Sequence, residues 1–431
     1  MPGKIEKGCE TTMKTVLAID GNKFLLNGRK TYTEIPNCPE KYHGLLMNAR
    51  FIQGVFKDVE KPERFNRFGR TFDPDRNTQE LIAALPEWYE YGLRAFTVGF
   101  QGGGPCFTID SKTIENNPFS PDGKSIAPDY LARMKKIIEA ADELGMVVIV
   151  SCYYGPQSRF LKDDRAVMEG IKTACNWLRD EKFTNIIFEV ANEHDIDAYK
   201  VHPILYNDSG IVELIEIAKR ESGGIPVGCS STGAYFSPEI TNASDVILIH
   251  GNNMSRQVFY NQIRKVKELQ PDRPVVCNED SQALSNMQVA LDEGVSWGYY
   301  NNMTKQEPPT PWGITEGEDT FFAARMADTL GIAPIEIEPQ NRYYLQGLAK
   351  NEDWEGKRWI RLASVYPEKI HQVRFYRDGE LVHRAYDDPF TINFLFNWIQ
   401  APIEGIQPGE KWKAVIELTD GTEITKETVA E

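Results

Sequence analysis

Residues 185–195 read NIIFEVANEHD, an apolar β-branched run that ends, with no turn residue between, on Asn192-Glu193. Residues 274–280, PVVCNED, do the same and end on Asn278-Glu279. Runs rich in Val, Ile and Phe without strict polar alternation suit parallel strands covered on both faces. Six more follow this pattern: YHGLLMNARF (42–51), LRAFTVGF (93–100), MVVIVSCYY (146–154), IPVGCSS (225–231), DVILIHGN (245–252) and GVSWGYY (294–300). Helix-period segments separate them. PDYLARMKKIIEAADELG (128–145) opens on Pro-Asp and closes on Gly, as a helix should, and AVMEGIKTACNWLRDEK (166–182) is another; TGAYFSPEITNAS (232–244) is the weakest helical stretch. Eight strand-helix units in sequence predict an α/β fold, a (β/α)8 TIM barrel over 41–333, although the count also fits a doubly wound sheet.

Outside that stretch the pattern changes. Residues 15–28, TVLAIDGNKFLLNG, predict a β-hairpin within an N-terminal extension of residues 1–40. Beyond GIAPIEIEPQ (331–340) the helical period disappears, and short alternating runs follow: WIRLASVY (359–366), HQVRFYRDGELVHRAY (371–386), FTINFLF (390–396) and KWKAVIELTDGTEITKETV (411–429). The Asp-Gly turns at 378–379 and 420–421 are hairpin signals, so residues 334–431 read as a small all-β sandwich resembling an immunoglobulin-like module.

Composition narrows the function. The 431-residue chain is 41% hydrophobic with no apolar run near the roughly 18 residues of a membrane span, so none is expected. Its net charge of −15 opposes nucleic-acid binding, which needs a basic surface, and points to a small or neutral partner. Eight Trp and 18 Tyr would serve a groove that stacks sugar rings. The seven Cys, at 9, 38, 106, 152, 175, 229 and 277, lack metal-ligand spacing and read mainly as buried thiols. The N-terminus has no signal-peptide h-region, so the chain is cytoplasmic or an export signal has been removed.

In a parallel barrel the chemistry gathers at the carboxyl ends of the strands. Both Asn-Glu pairs fall there, on the fourth and seventh strands, which face each other across one mouth. Two such carboxylates, one ionised and one protonated, can divide the cleavage of a glycosidic bond between them. Glu189, mid-strand and four residues before Glu193, suits a buried ion pair instead. His194 and Asp195 beside Glu193 would suit a metal, but no second cluster with ligand spacing accompanies them, and no metal or other cofactor is expected.

The arrangement resembles the clan A retaining glycoside hydrolases, the family 5 cellulase-like enzymes and their relatives, over residues 15–330. The resemblance implies Glu193 as acid/base, Glu279 as nucleophile and Asn192 as the ligand of the sugar 2-hydroxyl. His250 matches a site histidine that precedes a tyrosine touching the nucleophile, and here Asn252 stands where that tyrosine would be. Trp297 matches the floor of the −1 sugar site. An arginine held near the nucleophile would fall at about Thr97, and Arg94 is three residues early. Gln101 in the loop GFQGGGP (99–105), with Tyr153, Tyr154 and Trp312, are candidate sugar contacts. The expectation is a monomeric enzyme, exported by family resemblance, acting on a neutral oligo- or polysaccharide. The favoured activity is endo-β-glucanase; the alternatives are a β-mannanase or other β-glycosidase, and a non-catalytic carbohydrate-binding barrel.

Overall fold

The computed structural model describes residues 13–395 and 401–431; the stretch through Thr12, Cys9 included, and Phe396 at the end of the 390–396 run lie outside them. Strands β1 (Leu17–Asp20), β2 (Lys23–Leu26) and β3 (Arg29–Lys30) form an antiparallel sheet turned at Gly21-Asn22. Leu17, Ile19, Phe24 and Leu26 pack beneath the parallel strands, against Leu46, Ala95, Val147, Ile187, Val246 and Val276. The hairpin therefore closes the end of the sheet opposite to the two Asn-Glu pairs.

All eight expected parallel strands form. They are β4 (Asn48–Arg50), β5 (Ala95–Gly99), β6 (Val147–Tyr154), β7 (Ile186–Asn192), β8 (Val227–Gly228), β9 (Ile247–His250), β10 (Val275–Glu279) and β11 (Gly298–Tyr299). Six of them pair in the order β11-β4-β5-β6-β7-β8, and β9 pairs with β10. Backbone bonds cross both seams: Asp245 N–H to Val227 C=O at 2.8 Å on one side, and Cys277 N–H to Ser296 C=O at 2.8 Å and Asp280 N–H to Gly298 C=O at 3.0 Å on the other. Strands β6 and β7 are buried almost throughout, as strands covered on both faces must be.

Helices cover the sheet. The helix Pro74–Glu90 has Pro at its first turn and the Asp73 carboxylate accepting from Arg76 N–H. Asp163 caps Asp164–Asp180 in the same way, and Pro128–Leu144 ends on Gly145 at φ +80°, a left-handed cap that glycine adopts freely. The weak stretch 232–244 yields only Pro238–Ala243, capped by Ser237.

The C-terminal part is antiparallel throughout. Its strands are β12 (Tyr343–Gln346), β13 (Lys357–Arg358), β14 (Arg361–Ser364), β15 (Ile370–Arg377), β16 (Glu380–Ala385), β17 (Phe390–Thr391), β18 (Ile403–Glu404), β19 (Lys411–Leu418) and β20 (Glu423–Val429). They form sheets ordered β12-β14-β17, β13-β18 and β16-β15-β19-β20. Asp378 and Gly379 turn β15 into β16, both at positive φ, the geometry of a tight two-residue hairpin. These strands enclose a core around Leu362, Val373, Phe375, Trp412, Ala414 and Ile416. Ala363 and Val365, however, pack into the larger core of the α/β part. Arg325 reaches Glu368 at 3.0 Å, Arg361 reaches Glu318 at 2.8 Å, and the Ser285 N–H and hydroxyl donate to Asp388. Among the described residues no helix is long and apolar enough to cross a membrane.

Candidate active site

The last residues of β4, β7, β9 and β10 converge at one end of the parallel strands. One oxygen of Glu193, one of Glu279 and a ring nitrogen of His250 lie within 4.8 Å of one another. Glu193 follows β7 at φ +50°, a backbone that turns its side chain out of the strand, and its N–H donates to Ser230 Oγ at 3.2 Å. His250 Nδ1 is 3.0 Å from Glu193 Oε1 and 3.8 Å from Glu279 Oε2. Asn252 donates its amide to Glu279 Oε1 at 3.0 Å, so it occupies the place expected of a tyrosine.

Arg50, which the sequence reading passed over, completes the cluster. Its Nε is 2.8 Å from Glu279 Oε2, and its Nη2 donates to Asn192 Oδ1 at 2.7 Å. In the register of β4 with β5, Arg50 stands opposite Thr97, the position where an arginine was expected. The guanidinium thus arrives at the expected height from the neighbouring strand. Its signal was a charge closing the apolar run LLMNARF, the same signal that marks the glutamates. Arg94 sits elsewhere, bonded to Glu34 and to the Tyr89 and Leu93 carbonyls.

The two carboxylates differ in exposure, 18% for the Glu193 side chain and 4% for Glu279. Burial pushes Glu279 up to about 7, against the pull of Arg50 and His250 and with the help of Glu193's charge. Burial acts on Glu193 too, but the His250 hydrogen bond and the charges of His250 and Arg50 outweigh it and hold Glu193 below the usual carboxylate range. Burial opposes protonation of His250, yet Glu279 and Glu193 raise it above the ordinary histidine value. The two carboxylates therefore favour the protonated form of His250, whose Nδ1 is within reach of Glu193.

Several expected contacts lie outside this cluster. Trp297 is fully buried, its indole N–H donating to Asp280 at 2.8 Å and its ring against Phe322, so it does not floor the mouth. Tyr153 points outward, its hydroxyl on the Val167 carbonyl at 2.7 Å, because successive residues of β6 face opposite sides. Trp312 is core, edge-on to Phe51 with its N–H on Asn77. Gln101 is spent inside the loop, between Asn117 and the Tyr154 N–H. Tyr154 stands level with Asn192 in the register of β6 with β7, and with Cys106, Gly103 and Gln306 it lines a cavity of about 370 Å3. Its hydroxyl is raised by burial and by the charges of Glu279 and Glu193.

Among the described residues Glu189 has no ion pair, where one was expected; it accepts from Asn278 at 2.9 Å inside the sheet. His194 lies beside Tyr235, and Asp195 accepts from Thr232, so Glu193, His194 and Asp195 do not converge. Cys38, Cys152, Cys175, Cys229 and Cys277 are buried as expected, whereas Cys106 is exposed.

No protein-family model matches the chain, and a search of curated proteins found no match. Among solved structures it is similar to the β-glucuronidase of Parabacteroides merdae, with TM-score 0.39 and 11% identity over 97% of this chain and 50% of that one. The chain spans about half the length of that relative. It is also similar to the endo-β-1,4-mannanase of Thermotoga petrophila, with TM-score 0.49 and 12% identity over 90% and 97%. A third is the β-1,4-D-mannanase of Cryptopygus antarcticus, with TM-score 0.44 and 12% identity over 66% and 88%.

Proposed function

We propose that the protein is a retaining glycoside hydrolase acting on a neutral β-linked glycan. The observation that carries this is the approach of Glu193 and Glu279 to within 4.8 Å, oxygen to oxygen, with a guanidinium on one and an imidazole on the other. Retaining enzymes hold their carboxyl groups about 5–5.5 Å apart, and inverting enzymes need several ångströms more to admit a water. Glu279, deeper and paired with Arg50, attacks the anomeric carbon while the bond to the leaving oxygen breaks. Glu193, nearer to solvent, receives the His250 proton and passes it to that oxygen. It then takes a proton from the water that releases the sugar from Glu279. Asn192, its carbonyl fixed by Arg50, leaves its amide N–H groups for the 2-hydroxyl, and Tyr154 walls the site.

In this reading the eight parallel strands close into a (β/α)8 barrel over 41–333, and residues 334–431 form an immunoglobulin-like sandwich. The enzyme is a monomer, and an endo-β-glucanase is favoured over a mannanase.

Glu279→Ala is expected to abolish turnover of aryl β-glycosides and polysaccharides with the fold intact. Azide should restore it, giving the α-glycosyl azide, whereas Glu193→Ala should give the β-azide. Wild-type hydrolysis by Glu279→Ala would sink the assignment. A second reading makes Glu193, His250 and Glu279 ligands of a divalent cation. Arg50 at 2.8 Å from Glu279 opposes it by charge, and activity unaffected by chelator would dismiss it.

A further inference from the structure

A cleft of about 400 Å3 opens where the 301–319 segment meets the C-terminal strands, within the roughly 300–1,000 Å3 range of small-molecule sites. Phe68, Tyr344, Trp354 and Trp359 supply aromatic faces, and Glu316 and Asn351 supply exposed polar groups. The Phe68 and Trp354 ring centroids are 6.0 Å apart, with Phe68 39% exposed and Trp354 half-buried. The guanidiniums that line the cleft, Arg70 and Arg361, are already matched by Glu80 at 2.6 Å and Glu318 at 2.8 Å. The cleft therefore offers little to an anion and much to a polyhydroxylated ligand with flat apolar faces.

The cleft also adjoins the Tyr154 cavity. Trp359, on the cleft side, packs edge-on against Phe107 at 5.4 Å, and Phe107 lines the Tyr154 cavity. Glu307 lines the cleft and bonds the Cys106 and Phe107 amides at 2.9 Å, so one thin wall separates the two spaces.

Resting on the function proposed above, we propose that this cleft is a distal sugar subsite: units of a bound glycan remote from the cleaved bond stack on Trp354 and Phe68. The C-terminal strands then complete the substrate groove, and binding energy from remote units is available to the chemistry at Glu279.

The test is Trp354→Ala, with circular dichroism and melting as folding controls. Its KM for cello- and manno-hexaose, relative to its KM for an aryl β-monoglycoside, should rise roughly tenfold against wild type. An unchanged ratio overturns the subsite and leaves the catalytic reading standing. Titration of the same hexaoses into Glu279→Gln, followed by tryptophan fluorescence, serves where turnover fails. If wild type cleaves no β-glycoside, the catalytic reading falls, while hexaose binding that weakens in Glu279→Gln/Trp354→Ala upholds the cleft. Absence of binding, or binding indifferent to residue 354, overturns it.

Discussion

Arg50 governs how the two glutamates divide their tasks. It opposes the burial that raises Glu279 to about 7, so a nucleophile that must be ionised loses activity as pH falls through about that value. His250 is raised by its carboxylates, against burial, and is the group expected to set the alkaline limb. A bell-shaped profile of kcat/KM is expected. Arg50→Ala should lower kcat by about 10²–10³, the cost of removing one preorganised donor, and move the acid limb upward, as rate against pH will show. In His250→Asn the alkaline limb should disappear. The glutamates were legible because an apolar strand ending in a carboxylate is a local signal. Arg50 carries the same local signal, but its role was not legible, because that depends on the register of β4 against β5, which brings it level with Thr97. Trp297 misled for the complementary reason: its strand was placed correctly, but the strand's two-residue alternation turned the ring into the core.

At the scale of elements, the mouth is held by loops rather than by the strands themselves. Glu307 accepts the Cys106 and Phe107 amides and the Thr108 hydroxyl and pairs with Arg67 at 3.1 Å, tying together the segments after β4, β5 and β11. Glu307→Gln loses the ion pair and one acceptor while keeping the shape. Faster hydrogen exchange of the Cys106 and Phe107 amides and a raised KM are expected, and exchange indistinguishable from wild type would count against the latch. The eight parallel strands were readable from periodicity, and so was the weakness of 232–244, realised as a helix of only six residues. The latch was not readable, since its partners lie far apart in sequence and converge only once the chain is folded.

On the scale of the whole molecule, the junction between the α/β part and the C-terminal strands contains a buried carboxyl, Glu318, and a partly buried one, Asp388. Asp388, beneath Ser285, and Glu318, beside Arg361, are both pushed up to about 7 by burial. A carboxyl raised in the folded state favours folding while protonated. Its contribution is full below the unfolded value near 4 and is lost as pH rises through about 7. Asp388→Asn should therefore flatten the fall in melting temperature between pH 4 and 7, measured by calorimetry; an unaltered slope would remove Asp388 from the account. The hairpins of the C-terminal part were legible in their Asp-Gly turns, but its docking was not, because Ala363 and Val365 look like any other strand residues. Their lodging in the larger core has a practical outcome. A gene cut after codon 333 would strip a plug from the first unit and leave an oily socket facing water, so the shortened product should clump on expression, and shuffling this tail among unrelated enzymes would need a matching socket on the recipient.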